Sequence, residues 1–165
     1  MAESRDLGNA MKAGMRHLAS GVAVIATRGG DAVPHAMTVT SITSVSDQPA
    51  SLLVCLHRDS TTFKSLAGTD LFSINILRRD QENISDRCAF TPEDQDRFVF
   101  GDWKDFGEHQ IPYLPSALAF FLCRVIRKVD YGTHCIVVGD IMEVIEDEKA
   151  AQPLIYCRGE YSSLL

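Results

Sequence analysis

Leu118-Ala-Phe-Phe-Leu-Cys-Arg-Val-Ile-Arg-Lys-Val-Asp130 runs through Tyr131-Gly132-Thr133 into His134-Cys-Ile-Val-Val-Gly-Asp-Ile-Met-Glu-Val-Ile-Glu146. Two long β-type runs joined by three residues with a central glycine predict a long antiparallel hairpin. Gly21-Val-Ala-Val-Ile-Ala-Thr27 is another β-type run, and the turn Arg28-Gly-Gly-Asp31 returns the chain as a strand over 32–40. Ala50-Ser-Leu-Leu-Val-Cys-Leu-His57 reads as a strand apolar enough to be covered on both faces, and Leu71-Phe-Ser-Ile-Asn-Ile-Leu77 as a fourth. Pro153-Leu-Ile-Tyr-Cys157 is the last strand, closed by Arg158-Gly-Glu-Tyr161. Helices are few and short. Leu7, Met11, Met15 and Leu18 fall at helical spacing and predict an amphipathic helix over 5–18. Ser60 caps a short helix ending near Gly68, and 80–90 is a short polar helix. The Asp-, Gly- and Pro-rich region 91–116 reads as a long excursion anchored by Trp103. A doubly wound parallel sheet would need longer crossover helices. The expected fold is therefore mainly β: one domain over 1–165, an antiparallel barrel with short peripheral helices.

The formal net charge of −6 argues against nucleic acid as partner, because phosphate neutralisation needs clustered Lys and Arg. It also requires that an anionic cofactor be held by local donors against the overall field. No apolar run approaches the roughly 18 residues of a membrane helix, so no membrane partner is expected. Met1-Ala-Glu-Ser-Arg-Asp6 is charged and unlike a secretory signal. Five cysteines, an odd number without close pairing, read as reduced thiols, which places the expectation in the cytoplasm. Cys55 and His57 share a strand face but have no second ligand pair, so no metal site is expected. Gly29-Gly30 is a turn and no dinucleotide or Walker fingerprint exists. The Ser, Cys and His residues form no nucleophilic triad.

Two hydroxyl clusters remain. Thr38, Thr40, Ser41, Thr43, Ser44 and Ser46 crowd the segment that leaves the second strand, where a plain strand edge would also favour Thr and Ser. Ser60 and Thr62 then open a helix whose first N–H groups lack partners, with Arg58 and Lys64 as nearby cations. An ordinary N-cap is the competing reading there. Taken together, the clusters offer donors suited to a phosphate and the polar edge of a flat heterocycle. His134 sits at a turn where barrel loops meet ligands, against the alternative of a surface histidine. Asn75, inside an apolar strand, must have its amide satisfied by the fold or by an edge contact to the heterocycle.

In order and spacing these residues resemble the short flavin reductases with an FMN-binding split β-barrel, which partner two-component flavin monooxygenases. The resemblance runs from Ala10-Met11 and Ala19-Ser-Gly-Val22 through Met37–Ser46, Leu53–Leu56, Ser60, Thr62 and Leu66. It continues through Asn75-Ile-Leu77, Gln81–Ser85, Arg97-Phe98 with Trp103, and Gly132-Thr-His134 to Gly139-Asp-Ile141. It ends at Pro153–Tyr156 with Gly159 and Tyr161. It implies a homodimer with FMN or FAD near the subunit interface and NADH or NADPH as co-substrate. By the same resemblance Thr38, Val39, Thr40, Ser41 and Ile42 line the isoalloxazine, with Asn75 as a further flavin contact. Asp59, Ser60, Thr61, Thr62 and Ser65 serve the ribityl phosphate. His134, with Arg158, Gly159, Glu160 and Tyr161, meets the nicotinamide nucleotide, and Ser44 and Val45 touch it. One departure is Thr133, where the family usually has Asp. The implied activity is NAD(P)H-dependent flavin reduction supplying a partner monooxygenase, with His134 orienting the nicotinamide. The alternatives are the same fold reducing a corrinoid cobalt centre or ferric chelate, and a flavin- or haem-binding module without turnover. An oxidase of a pyridoxal-type substrate would need a basic phosphate pocket that this chain lacks.

Overall fold

The computed structural model describes residues 6–90, 92, 95–147, 151–162 and 164. Helix α1 (Leu7–Met15) leads into β1 (Ser20–Gly21), β2 (Ala23–Arg28), β3 (Pro34–Val39), β4 (Ile42–Asp47) and β5 (Ala50–His57). Then come α2 (Thr61–Ser65), β6 (Leu71–Ile76), a 3-10 turn over Arg79–Gln81, and α3 (Glu82–Phe90). The remainder is β7 (Lys104–Phe106), β8 (Ile111–Tyr113), β9 (Ala119–Tyr131), β10 (His134–Glu146), β11 (Ile155–Cys157) and β12 (Glu160–Ser162).

Seven strands form one antiparallel sheet in the order β3-β2-β6-β9-β10-β5-β4. The β9–β10 hairpin is its spine, with His134 opposite Tyr131 and Glu146 opposite Ala119. The two edge strands, β3 and β4, are consecutive in the chain and joined by Thr40 and Ser41 alone. The sheet wraps so far that Val39, at one edge, shares a buried core with Leu52, Val54 and Leu56 of β5. That core also takes Ile25, Phe72 and Ile74, each fully buried and each contributing about 1.5–3 kcal/mol of burial. The result is the expected mainly β split barrel, open along the β3/β4 seam.

Strand β2 reads as an unbroken apolar run because both its faces are covered. Ala23 and Ile25 face the barrel core, while Val24 and Ala26 join a second cluster with Leu77, Ile84, Leu114 and Leu154. Strand β5 departs from the expectation. Leu52, Val54 and Leu56 point inward, but Leu53, Cys55 and His57 on its other face are only half-buried. Apolar composition alone does not reveal whether a second layer exists to cover a face.

Three further expectations are corrected. Residues 42–47 form the edge strand β4, with a bulge at Val45 between the Ser44–Leu52 and Ser46–Ser51 pairs. The region 91–116 contains the β7–β8 hairpin, and Trp103 anchors it edge-to-face on Phe98 with ring centroids 4.9 Å apart. The last strand joins a separate three-stranded sheet, β1-β11-β12, rather than the barrel. Its partner β1 lies far off in sequence, so only the fold could reveal the pairing. Helix α1 forms as expected, with Asp6 accepting from the Gly8 and Asn9 N–H groups. Its apolar stripe is uncovered: Leu7, Met11, Met15 and Leu18 are 54–76% exposed.

Helix α2 packs across β2 and β3. Two glycines permit this approach. A Cβ on Gly29 would lie 2.7 Å from the Ser65 carbonyl oxygen, and one on Gly68 would lie 2.5 Å from the Gly30 nitrogen. The Gly29-Gly30 turn is thus also the seat of α2.

Candidate functional site

A cavity of about 520 Å³ opens at the seam of the barrel. One wall is the crossing itself, Thr40 to Thr43; the floor is Leu53 and Cys55 of β5. The opposite wall is Tyr156 to Gly159, and Met15, Arg16 and Leu18 at the end of α1 close the groove. Local geometry builds each part. The crossing is held to β5 by Cys55 N–H donating to the Ser41 carbonyl at 3.2 Å and by Ser41 Oγ donating to the Cys55 carbonyl at 3.0 Å. The Thr40 and Ser41 N–H groups find no hydrogen-bond partner among the described residues. Arg158 and Gly159, with φ of +56° and +90°, form the two-residue turn of the β11–β12 hairpin. These signs match the primed turn that right-twisted strands favour, and glycine fits its second position. Arg158 N–H donates to the Arg16 carbonyl at 2.7 Å, which brings the two arginines to the same rim. No carboxylate pairs with either guanidinium among the described residues.

A smaller cavity of about 190 Å³ adjoins this groove and shares Thr40 and Tyr156 with it. Tyr161 stands here, its hydroxyl donating to Asp86 Oδ1 at 2.7 Å and lying 2.8 Å from Ser85 Oγ. Burial, followed by the Asp86 carboxylate, pushes its pKa up to about 12, so it stays a neutral phenol. Thr38 Oγ1 donates to the Ser85 carbonyl at 2.6 Å, tying β3 to α3.

The predicted site residues divide accordingly. Thr40, Ser41, Ile42, Arg158 and Gly159 meet in the large groove, and Thr38 and Tyr161 in the smaller cavity. Val39 sends its side chain into the barrel core, so only its backbone reaches this region. Ser44 and Val45 lie exposed on β4 beyond the groove, and Glu160 is exposed on β12. Asn75 has its amide satisfied by the fold. Fully buried, it donates to the Val24 carbonyl at 3.2 Å and Ser73 Oγ at 3.0 Å, and accepts from Leu114 N–H at 2.8 Å.

The second hydroxyl cluster also splits. Ser60 is an N-cap: its Oγ accepts from Phe63 N–H at 3.2 Å and donates to the His57 carbonyl at 2.8 Å. Thr62 is fully buried. The Thr62 hydroxyl is closed off from solvent without a partner among the described residues, and that of half-buried Ser60 is engaged with the backbone. Thr61 and Ser65 instead border a cleft of about 380 Å³ with Lys64, Asp31 and His35. Ser65 Oγ is buried there without a partner. Asp59 is exposed, and its N–H donates to His57 Nδ1 at 3.2 Å. Arg58 lies 3.6 Å from Asp130, which leaves Lys64 as the cation nearest the cleft.

His134 is exposed at the start of β10, outside the groove. It lies opposite His57 in the β5–β10 register, and the two rings meet edge-to-face with centroids 5.1 Å apart. Thr133 Oγ1 is 2.9 Å from His134 Nδ1, so the residue that departs from the family pattern supplies a ring contact of its own. Leu53, Cys55 and His57 alternate onto one face of β5, so the groove floor leads directly toward this histidine pair. Sequence reasoning missed Arg16, Leu53, Cys55 and Tyr156 as residues of the groove. The period-2 pattern of β5 carried a signal for Leu53 and Cys55; the meeting of α1 with the terminal hairpin carried none.

The groove at the seam of the split barrel offers backbone donors, an apolar floor and two arginines to a flat, anionic ligand. Residues 15–165 match the family model of the flavin reductase like domain. The chain is 35% identical over 156 residues to the reductase component of an FADH(2)-dependent resorcinol hydroxylase from Rhizobium sp. (strain MTP-10005), covering 94% of this chain and 86% of that one. It is 36% identical over 149 residues to a flavin reductase (NADH) of Kitasatospora aureofaciens, covering 90% and 77%. Among solved structures it is similar to BorF, the flavin reductase component of a bacterial two-component tryptophan halogenase. That likeness has a TM-score of 0.84 at 30% identity and covers 95% and 98% of the two chains. This chain belongs to the flavin reductase-like family.

The residues present fit a flavin. The unpaired Thr40 and Ser41 N–H groups suit the carbonyl-rich edge of an isoalloxazine, and Leu53 and Ile42 suit its apolar faces. The two arginines offset the charge of −6 where an anionic nucleotide must approach.

Proposed function

We propose that this chain is an NAD(P)H-dependent flavin reductase that supplies reduced flavin to a partner monooxygenase. The observation that carries this reading is the seam groove, with an apolar floor, backbone donors unpaired among the described residues and two arginines without acidic partners among them. The chemistry that a bound flavin supplies is acceptance of a hydride from the nicotinamide. The protein's share is positioning and exclusion of water, which supplies several kcal/mol when reacting atoms are held about 3–3.5 Å apart. Thr40 and Ser41 N–H hold the polar edge of the isoalloxazine, while Leu53, Ile42 and Tyr156 keep water from its faces. Thr61, Ser65 and Lys64 serve the phosphate, with Ser60 fixing the helix that carries them. Arg16 and Arg158 meet the nicotinamide nucleotide, and His134 orients its ring. Direct hydride transfer needs no strong general base, in keeping with a groove whose nearest perturbed group, Tyr161, stays protonated.

The reading is tested by the visible spectrum of the purified protein together with NADH oxidation with and without added flavin. His134→Ala is expected to raise the KM for NADH several-fold with flavin affinity nearly unchanged, or to slow flavin reduction if its contact exists only in the transition state. Stopped-flow reduction of pre-bound flavin separates the two. Wild-type rates and affinities throughout would remove His134 from the site.

We further propose that the protein is a cytoplasmic homodimer acting as one domain. Five free thiols, none in a disulfide, suit a reducing compartment. No described helix is long and apolar enough to cross a membrane. The uncovered α1 stripe and the exposed Ile126, Met142 and Val144 of β9 and β10 supply apolar area for a second copy. Sedimentation at micromolar concentration is expected to give the dimer mass, with flavin bound; a flavin-saturated monomer would contradict it.

A further inference from the structure

We infer that His57 is a positioning residue that sets two parts of the site at once: the ring of His134 and the turn that opens α2. The inference rests on the reading that His134 meets the nicotinamide and that the start of α2 serves the flavin phosphate.

The geometry is specific. His57 is the last residue of β5 and lies directly opposite His134 of β10. The two imidazoles meet edge-to-face, with centroids 5.1 Å apart and planes at 77°. On its other side His57 Nδ1 accepts from the Asp59 N–H at 3.2 Å, and the His57 carbonyl accepts from Ser60 Oγ at 2.8 Å. Ser60 in turn caps α2. One side chain therefore touches His134 through its ring and Asp59 through a single nitrogen. With Nδ1 used as an acceptor, a neutral His57 carries its proton on Nε2. Among the described residues few other constraints act here, since His134 is exposed and its other ring contact is the Thr133 hydroxyl. A ring on the same strand face as Leu53 and Cys55 also continues the groove floor toward both places.

The two contacts can be removed separately. His57→Phe keeps an aromatic edge against His134 and removes the acceptor. His57→Asn removes the ring, and its Oδ1 still accepts the N–H two residues on, as asparagine does in turns. The side chain of His57 is 45% exposed, so neither change empties the core. Steady-state kinetics and flavin titration on the full chain are expected to give a crossed pattern. His57→Asn raises the KM for NADH about threefold to tenfold, the range of an aromatic pair, with flavin dissociation near wild type. His57→Phe weakens flavin binding about fivefold, the value of one ordinary hydrogen bond, with the KM for NADH near wild type. Parallel effects of both variants on both constants, or no effect of either, overturn the inference. The His134 ring-proton shifts of the ligand-free protein give an arm independent of turnover. They move in His57→Asn and stay close to wild type in His57→Phe. Identical shifts in all three proteins overturn the pairing whatever the activity shows, whereas a wild-type protein inert toward NADH and flavin overturns the functional reading alone.

Discussion

Replacing Arg16 and Arg158 together with alanine is expected to raise the KM for NADH about a hundredfold while leaving the melting temperature almost unchanged. Each guanidinium that hydrogen-bonds an anionic oxygen contributes about 1.5–3 kcal/mol, and rim exposure places both at the lower end. Two such losses amount to about 3 kcal/mol, close to two decades of affinity. Both side chains are exposed and neither pairs with a carboxylate among the described residues, so the fold loses no ion pair. The wild-type advantage should also shrink in high salt, where the screening length drops to about 3 Å at 1 M. Kinetics of the single and double variants at two salt concentrations check this. A double variant with wild-type KM and wild-type salt dependence would place the nucleotide's charge elsewhere.

Asn75→Ala is expected to produce the opposite signature, with stability lost and ligand constants kept. Its side chain is fully buried, and all three of its hydrogen bonds go to the frame. Truncation leaves the Leu114 N–H without an acceptor in a site closed to water. An orphaned buried donor costs about 1–3 kcal/mol, and the lost packing brings the total to about 3 kcal/mol. For a chain of this size that lowers the Tm by about 6–12 °C. Thermal melts, with flavin titration of the folded variant at low temperature, measure both halves. Weakened flavin binding at wild-type Tm would return Asn75 to the cofactor.

What the sequence disclosed follows the range of the interactions that carry the signal. The β9–β10 hairpin, the cap at Ser60 and the helix over 7–15 rest on neighbours within a few residues, and all were legible. The floor of the groove was partly legible, because Leu53 and Cys55 alternate with inward residues; high apolar content concealed the alternation. The joining of Arg16 to Arg158 was not legible, since it depends on β1 finding β11 across most of the chain. Hydroxyl groups are legible by type but not by engagement. Ser60 and Thr38 bond to the backbone, while the buried Thr62 Oγ1 has no partner among the described residues. Residue type announces a donor; only packing decides which acceptor wins it.

The backbone-to-backbone contact between the β2–β3 turn and the end of α2 has a consequence for how this protein can vary. Gly29 and Gly68 leave no room for a side chain, so any replacement there shifts the helix that carries Thr61 and Ser65. If the α2 cleft takes the phosphate as proposed, a change at the hairpin tip alters ligand affinity without adding or removing a single ligand contact. On that reading, adaptation toward a larger or smaller nucleotide has two routes at this end of the barrel. Lengthening the turn moves the helix as a body, while substitutions at exposed positions such as Asp31 and Lys64 retune the cleft and leave the helix where it is.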